Sequence, residues 1–311
     1  MMRQPLSVAI RTRALQCLAT LLLGLLLAVP ALAAPPEPPL WKVTGNGNAV
    51  YLLGSFHMLR PGDYPLAAPV LAALDDSQEV LFELSPGEAG SPRLGAMMLQ
   101  AAQRRRAGSL EQDLGPSLWS RLQDHARASG LPLQQFAAFE PWFLGLTVGL
   151  AELQRQGFDP ALGLDRQFME AAAQAGKRTG GLETAASQIG ALASLPPDVQ
   201  VQMLEQALDQ AEAGPEQVEA MYAAWRRGDV DRLWRGMGEE LRREHPAVYR
   251  SINVDRNEAW LPQVERRLQA GEGNVLVVVG ALHLVGSDGL PARLQARGYR
   301  VEQVCGPCRA P

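Results

Sequence analysis

The hydrophobic pattern divides the chain into two short strand-rich ends and a long helical middle. Uninterrupted apolar runs stand at Ala49-Val50-Tyr51-Leu52-Leu53, Val80-Leu81-Phe82 and Val275-Leu276-Val277-Val278-Val279. Such runs, bounded by turn residues, predict strands buried on both faces, as in a parallel sheet. Leu40-Trp41-Lys42-Val43 precedes the first run across Gly45-Asn46-Gly47-Asn48, a composition that predicts a hairpin. A short helix over about 67–74 then leads to the strand Glu79-Val80-Leu81-Phe82-Glu83-Leu84, giving a β-α-β unit with parallel strands. Near the C-terminus a helix over about 289–297 precedes a last strand, Tyr299 to Val304.

From about 91 to 269 the period changes to that of amphipathic helices. The clearest are 117–128, 144–156, 164–175, 198–213 and 215–227, separated by Gly and Pro breaks. One exception, Lys177 to Glu183, reads as an edge strand carrying Glu183 at its tip. The expected fold is α/β: a parallel-type sheet built from both ends of the chain, with a large helical insertion (about 91–269) covering the C-terminal edge of its strands. Parallel strands need helical cover, and this insertion is the large supply of it. Residues 40–311 are expected to form a single domain.

The N-terminus belongs to a different category. Arg3, Arg11 and Arg13 precede the apolar stretch 14–29, and Pro30-Ala31-Leu32-Ala33 follows it. That order describes a secretory signal peptide over 1–33, the alternative being an uncleaved anchor helix. Export to the periplasm or the medium is therefore expected, with a Pro-rich leader over 34–39. Removing three arginines and no acids takes the formal charge from −4 to −4 − 3 = −7. Basic residues are otherwise scattered, so no nucleic-acid face is expected, and no later segment is apolar enough to span a bilayer. Cys305 and Cys308 form Cys-Gly-Pro-Cys, but only Arg309-Ala310-Pro311 follow. A redox motif of that type needs a helix after its first cysteine, so a disulfide tying off the tail is the expectation.

The candidate chemistry lies in a repeated phrase. Gly54-Ser55-Phe56-His57 and Gly280-Ala281-Leu282-His283 each end an apolar run, and the chain holds only four histidines. Both should emerge at the C-terminal strand edge, where open parallel sheets form ligand crevices. Glu83 ends a third strand, and burying its carboxylate there calls for a cationic partner. Two imidazoles and a carboxylate are a ligand set for a divalent metal with open positions for water, which would supply hydrolytic chemistry. His57, Glu83 and His283 are thus expected to converge. No Gly-x-Ser-x-Gly elbow surrounds Ser55. His125 and His245 read as solvated, and Trp142, Trp225, Trp234 and Trp260 as core.

These residues resemble those of the TraB/GumN proteins, relatives of the Tiki metalloproteases and of the erythromycin-esterase/ChaN-like group. The resemblance is carried by Trp41-Lys42-Val43, Tyr51 to His57, Asp63-Tyr64-Pro65-Leu66, Phe82-Glu83-Leu84 and Pro141-Trp142. It continues through Gly163-Leu164-Asp165, Gly181-Leu182-Glu183-Thr184, Arg256-Asn257-x-x-Trp260 and Val279 to Gly286. It implies that His57, His283, Glu83 and Arg256 meet in one cleft. In the Tiki branch it implies metal-dependent peptide hydrolysis with manganese or cobalt, zinc being a further candidate ion. In the esterase branch it implies a His/Glu set that activates water without metal.

Around this set, Arg256 either binds a substrate carboxylate or oxyanion, or pairs with Asp255 or caps a helix. Asn257 either orients Arg256 or a water, or makes a local turn bond. Glu183 is a candidate third carboxylate in the cleft, and Asp165 is expected to N-cap its helix. The leading reading is an exported metal-dependent hydrolase of peptides or another small substrate. The alternatives are a metal-independent esterase-like hydrolase and a non-catalytic protein binding a peptide or haem in the same cleft. Substrate and oligomeric state are not legible in the sequence.

Overall fold

The computed structural model describes residues 34–304. Residues 1–33, expected to be a signal peptide, and the Cys305/Cys308 pair lie outside the described residues. Strands β1 (Leu40–Thr44) and β2 (Ala49–Ser55) form the hairpin, with Leu40 opposite Leu53 and Thr44 opposite Ala49. With β3 (Glu79–Leu84), β4 (Arg178–Glu183), β5 (Val275–Gly280) and β6 (Arg300–Gln303) they build one six-stranded sheet in the order β4-β3-β5-β2-β1-β6.

The inner pairs β4-β3, β3-β5 and β5-β2 are parallel, while β1 lies antiparallel to both β2 and β6. The sheet is therefore mixed rather than wholly parallel. β2 and β3 point the same way, as the β-α-β reading requires, but they do not touch, because β5 is inserted between them. The cause is burial. Val275 to Val279 are at most 4% exposed, and so continuous an apolar run belongs at the centre of the sheet. At the edges, β4 brings Gly180 and Gly181, and β6 brings exposed Arg300, Glu302 and Gln303. Charged residues on an edge strand discourage pairing with another chain.

The expected helices are present as Ala68–Asp76, Leu110–Ser129, Pro141–Arg155, Leu164–Gln174, Pro197–Ala213, Pro215–Arg226 and Leu290–Ala296. The second begins earlier than the hydrophobic period suggested. Its first turns precede Pro116, and the path breaks at Gly115, whose φ of 71° is left-handed backbone. Pro92–Ala102, Ala185–Ala193 and Asp255–Ala270 complete the longer helices. The stretch from 230 to 254 winds through π-helical turns at Trp234–Glu239 and Arg250–Val254.

The main core packs both faces of the sheet against helices and includes the fully buried Trp225 and Trp260. Within the insertion, Leu110, Leu114, Leu118, Leu122, Leu144, Val148, Leu204 and Leu208 form a second apolar cluster among three helices. A buried carboxylate pins the loop after β2. Asp63, 0% exposed, accepts from the Tyr222 hydroxyl at 2.6 Å, the Arg60 amide at 2.8 Å and the Arg226 guanidinium. The described residues from Pro35 onward form one compact unit.

Candidate active site

Because β5 lies between β3 and β2, three adjacent strands deliver Glu83, His283 and His57 to one edge. Ser55 pairs with Gly280 and Gly54 with Val279, so the two Gly-x-x-His phrases lie side by side, offset by one residue. After β5 the chain tightens into the turn Ala281–Leu284 and buries His283 to 4% exposure. After β2 it bends outward, leaving the His57 side chain 59% exposed. Gly280 occupies the middle. A Cβ built on it would lie 3.2 Å from Glu83 Oε1, 3.6 Å from His57 Nε2 and 3.6 Å from His283 Cδ2. The missing methyl group is what keeps the space between the three side chains open. A cavity of about 280 Å³ adjoins it, lined by Ser55, His57, Glu83, Asp165 and Gln188 with Phe82, Leu84, Leu94, Met169 and Val278. The insertion thus walls the cleft, through Leu94, Asp165, Met169 and Gln188.

Arg256, in the first turn of Asp255–Ala270, holds the floor. Its Nε donates to Glu183 at 3.1 Å, and Nη2 donates to Glu83 Oε2 at 2.5 Å and to Glu183 Oε1 at 2.6 Å. Nη1 donates to the Ile252 carbonyl at 3.1 Å and lies 3.0 Å from His283 Nε2. All five N–H groups of the guanidinium are therefore engaged. Its sequence neighbour Asp255 pairs with Arg250 instead. Gln188 ties the same carboxylates together, donating 3.1 Å bonds to Glu83 Oε2 and Glu183 Oε1.

This network sets the charge on each group. Burial alone would raise the pKa of Glu83, but Arg256, His57 and the Gly280 amide (2.7 Å to Oε1) pull it well below the carboxylate range. Burial lowers that of His283 to about 3; Glu83 opposes this, while Arg256 and His57 reinforce it. His283 is accordingly neutral. Its Nε2 lone pair accepts from Arg256, and Nδ1–H donates to Asn257 Oδ1 at 2.9 Å, a tautomer that follows from its two partners. Asn257, 0% exposed, also donates to the carbonyls of His283 and Asp288, so it fixes the ring rather than a local turn. Trp260 closes the other side, 4.5 Å from the His283 ring centre and 4.7 Å from the Arg256 guanidinium.

His57 is opposite in character. Packing around the ring works against a charge, yet the Asp165 carboxylate, with Glu83 behind it, raises its pKa to about 9. Asp165 Oδ1 meets His57 Nδ1 at 3.3 Å, leaving Nε2 toward Gly280. Asp165 does not N-cap its helix as expected. Gly163 takes that position, and the Leu164 amide bonds the Phe56 carbonyl at 3.0 Å. A side chain on Gly163 would collide with the His57 carbonyl, since its Cβ would lie 2.3 Å away. That close approach places the first turn against β2 and turns Asp165 to the histidine.

The sequence profile of the TraB/PrgY/gumN family matches residues 39–303. The chain belongs to this family. It is also 24% identical over 258 residues to the Uncharacterized protein YbaP of Escherichia coli (strain K12), covering 83% of this chain and 92% of the relative. The Shigella flexneri protein of the same name matches at the same identity and coverage. No solved structure matches.

The sequence predicts a divalent metal at His57, Glu83 and His283, and the donors can be tested against one. The three converge, but the Arg256 guanidinium already bonds two of them. It takes the Nε2 lone pair of His283 and one Glu83 oxygen, and Asp165 occupies Nδ1 of His57 at 3.3 Å. Among the described residues no group of three or more His, Cys, Asp or Glu is placed to hold a metal ion. In this arrangement the residues do not fit a divalent cation. Gln188 was not anticipated from the sequence, since a lone glutamine on a helix of small apolar residues gives no signal. Trp260 was read as core, and it is buried, but its ring also covers His283 and Arg256. His125 and His245 are half-buried rather than fully solvated.

Proposed function

We propose that this TraB/PrgY/gumN protein is a hydrolase of ester or amide bonds that moves protons with Glu83 and His57. The observation that carries the reading is the convergence of an ionised carboxylate and a protonated imidazole on the open space at Gly280. Environments that push two titratable groups apart in this way assign the acceptor and the donor. Among the described residues Glu83 Oε1 accepts the Gly280 amide alone, so a further lone pair is free for a water molecule. The Arg256 clamp makes Glu83 a weak base at rest. Its part is to orient the water and accept its proton as attack on the carbonyl develops. His57, steered through Nδ1 by Asp165, donates from Nε2 to the leaving group. His283, Asn257, Glu183 and Gln188 hold Glu83 and Arg256 in place. The cavity suits a short acyl or peptidyl segment with an apolar side chain.

The signal-type pattern of residues 1–33 supports export of the mature protein, and N-terminal sequencing of the exported product tests it. For the activity, the purified protein is assayed on chromogenic esters and on short peptides, with and without chelator. Wild type should turn over a member of one panel, while His57→Ala and Glu83→Gln should lose about 100-fold or more and remain folded by circular dichroism. Undiminished turnover by folded Glu83→Gln would sink the assignment, and no turnover by wild type on either panel would favour a binding role for the cleft.

A further inference from the structure

We infer that Arg256 is the resident cation of this site and takes the place a divalent metal would otherwise fill. The argument is one of donors and charge, and it does not rest on turnover. Glu83 and His283 direct the lone pairs that would ligate an ion at a single guanidinium, at 2.5 Å and 3.0 Å. Glu183, 2.6 Å away, is the additional carboxylate that a dication would attract, and it too faces Arg256. The guanidinium has no N–H to spare for substrate, and its side chain is only 14% exposed, so it is built into the floor. Stacking on Trp260 and the bond to Ile252 O fix its plane. A second cation beside it would meet a like charge at contact range while competing for the Glu83 Oε2 and His283 Nε2 lone pairs that Arg256 already uses.

Arg256, Glu83 and Glu183 together carry one positive and two negative charges. Removing the guanidinium leaves two buried carboxylates and the free Nε2 of His283, a donor set suited to manganese, cobalt or zinc. The arginine is thus the difference between a charge-locked hydrolytic site and a metal centre built on the same strands.

The test is metal binding, read by calorimetry and by elemental analysis after dialysis against Mn2+, Co2+ and Zn2+. Wild type should retain much less than one ion per chain at the site. Arg256→Gln should retain about one, and the further change Glu83→Gln should remove it. Should Arg256→Gln fail to fold, Arg256→Gln/Glu183→Gln relieves one stranded carboxylate and keeps His57, Glu83 and His283 for the same measurement. The inference is overturned by a stoichiometric ion in wild type that is lost in Glu83→Gln or His283→Ala. It is equally overturned by folded arginine variants that retain no more metal than wild type. A wild type that hydrolyses nothing yet behaves as described toward metal would defeat the hydrolase reading alone.

Discussion

Gly280→Ala probes the centre of the site with the smallest perturbation available. The backbone there has φ −51° and ψ 138°, open to any L-residue, so the new methyl group introduces no dihedral strain. Restricting the unfolded chain should stabilise by about 0.4–1 kcal/mol. Against that, the 3.2 Å approach to Glu83 Oε1 requires a shift of a few tenths of an ångström, an overpacking cost of about 1–3 kcal/mol. The terms partly cancel, leaving a net destabilisation of about 0–2.6 kcal/mol and a melting temperature lowered by at most about 10 °C. Function should respond quite differently. The methyl group fills the space among Glu83, His57 and His283, where a water of roughly 30 Å³ must sit in order to attack the carbonyl. Displacing it by about 1 Å is enough to cost about 100-fold in kcat/KM. Thermal unfolding and the hydrolysis assay are run on the same preparation. Wild-type kcat/KM in a folded Gly280→Ala protein would refute the placement of the reacting water.

Asp165→Asn removes the charge that holds the proton on His57, so the ring's titration midpoint, followed by NMR, should fall from about 9 toward the ordinary histidine value. Because the pairing raises the folded pKa, its stabilisation is complete below about pH 6.5 and is lost as pH rises through about 9; with the ring 59% exposed, water keeps that contribution small, and an unchanged midpoint would contradict the pairing. Asn257→Ala strands the buried Nδ1–H of His283 and should destabilise by about 1–3 kcal/mol in urea unfolding while shifting the ring's tautomer signals in ¹⁵N spectra, and unaltered tautomer signals would dissociate Asn257 from His283. Asp63→Ala leaves Arg226 beside a buried hydroxyl with the carboxylate gone and should cost about 3–5 kcal/mol by the same unfolding measurement; a loss under 1 kcal/mol would mean the buried ion pair contributes little net.

The strands were legible because burial on both faces leaves continuous apolar runs, and the hairpin because its turn residues are local. Their order was not, since nothing in Val275 to Val279 names its neighbours; β5 reaches the centre through contacts made after the whole insertion has been traversed. The site followed the same division. His57, Glu83 and His283 were visible because each ends a recognisable strand. The pairing of Asp165 with His57 spans 108 positions, and that of Arg256 with Glu183 spans 73, so no local pattern reports them. For Asp165 the local rule pointed elsewhere: an acid near a helix start reads as a cap, and only the close seat of Gly163 on the His57 carbonyl turns it into a partner. The helix start before Pro116 was hidden for a related reason, because proline marks a boundary whether or not helical turns precede it.

Arg256 also shows why this site and its fold are hard to separate. A lysine there would keep the charge but offer three donors from one point, whereas the planar guanidinium spans two carboxylates, a carbonyl and an imidazole at once. Each partner comes from a different element: Glu83 from β3, Glu183 from β4, His283 from the turn after β5, and Ile252 from the π-helical turn ahead of the arginine itself. One side chain therefore registers three strand ends against the helix that covers them. The same bonds neutralise carboxylates that would be costly to bury alone, and they keep His283 uncharged by using its lone pair. Loss of the guanidinium would release all four constraints together, and the remaining donors would then be free to collect around whatever cation replaced it.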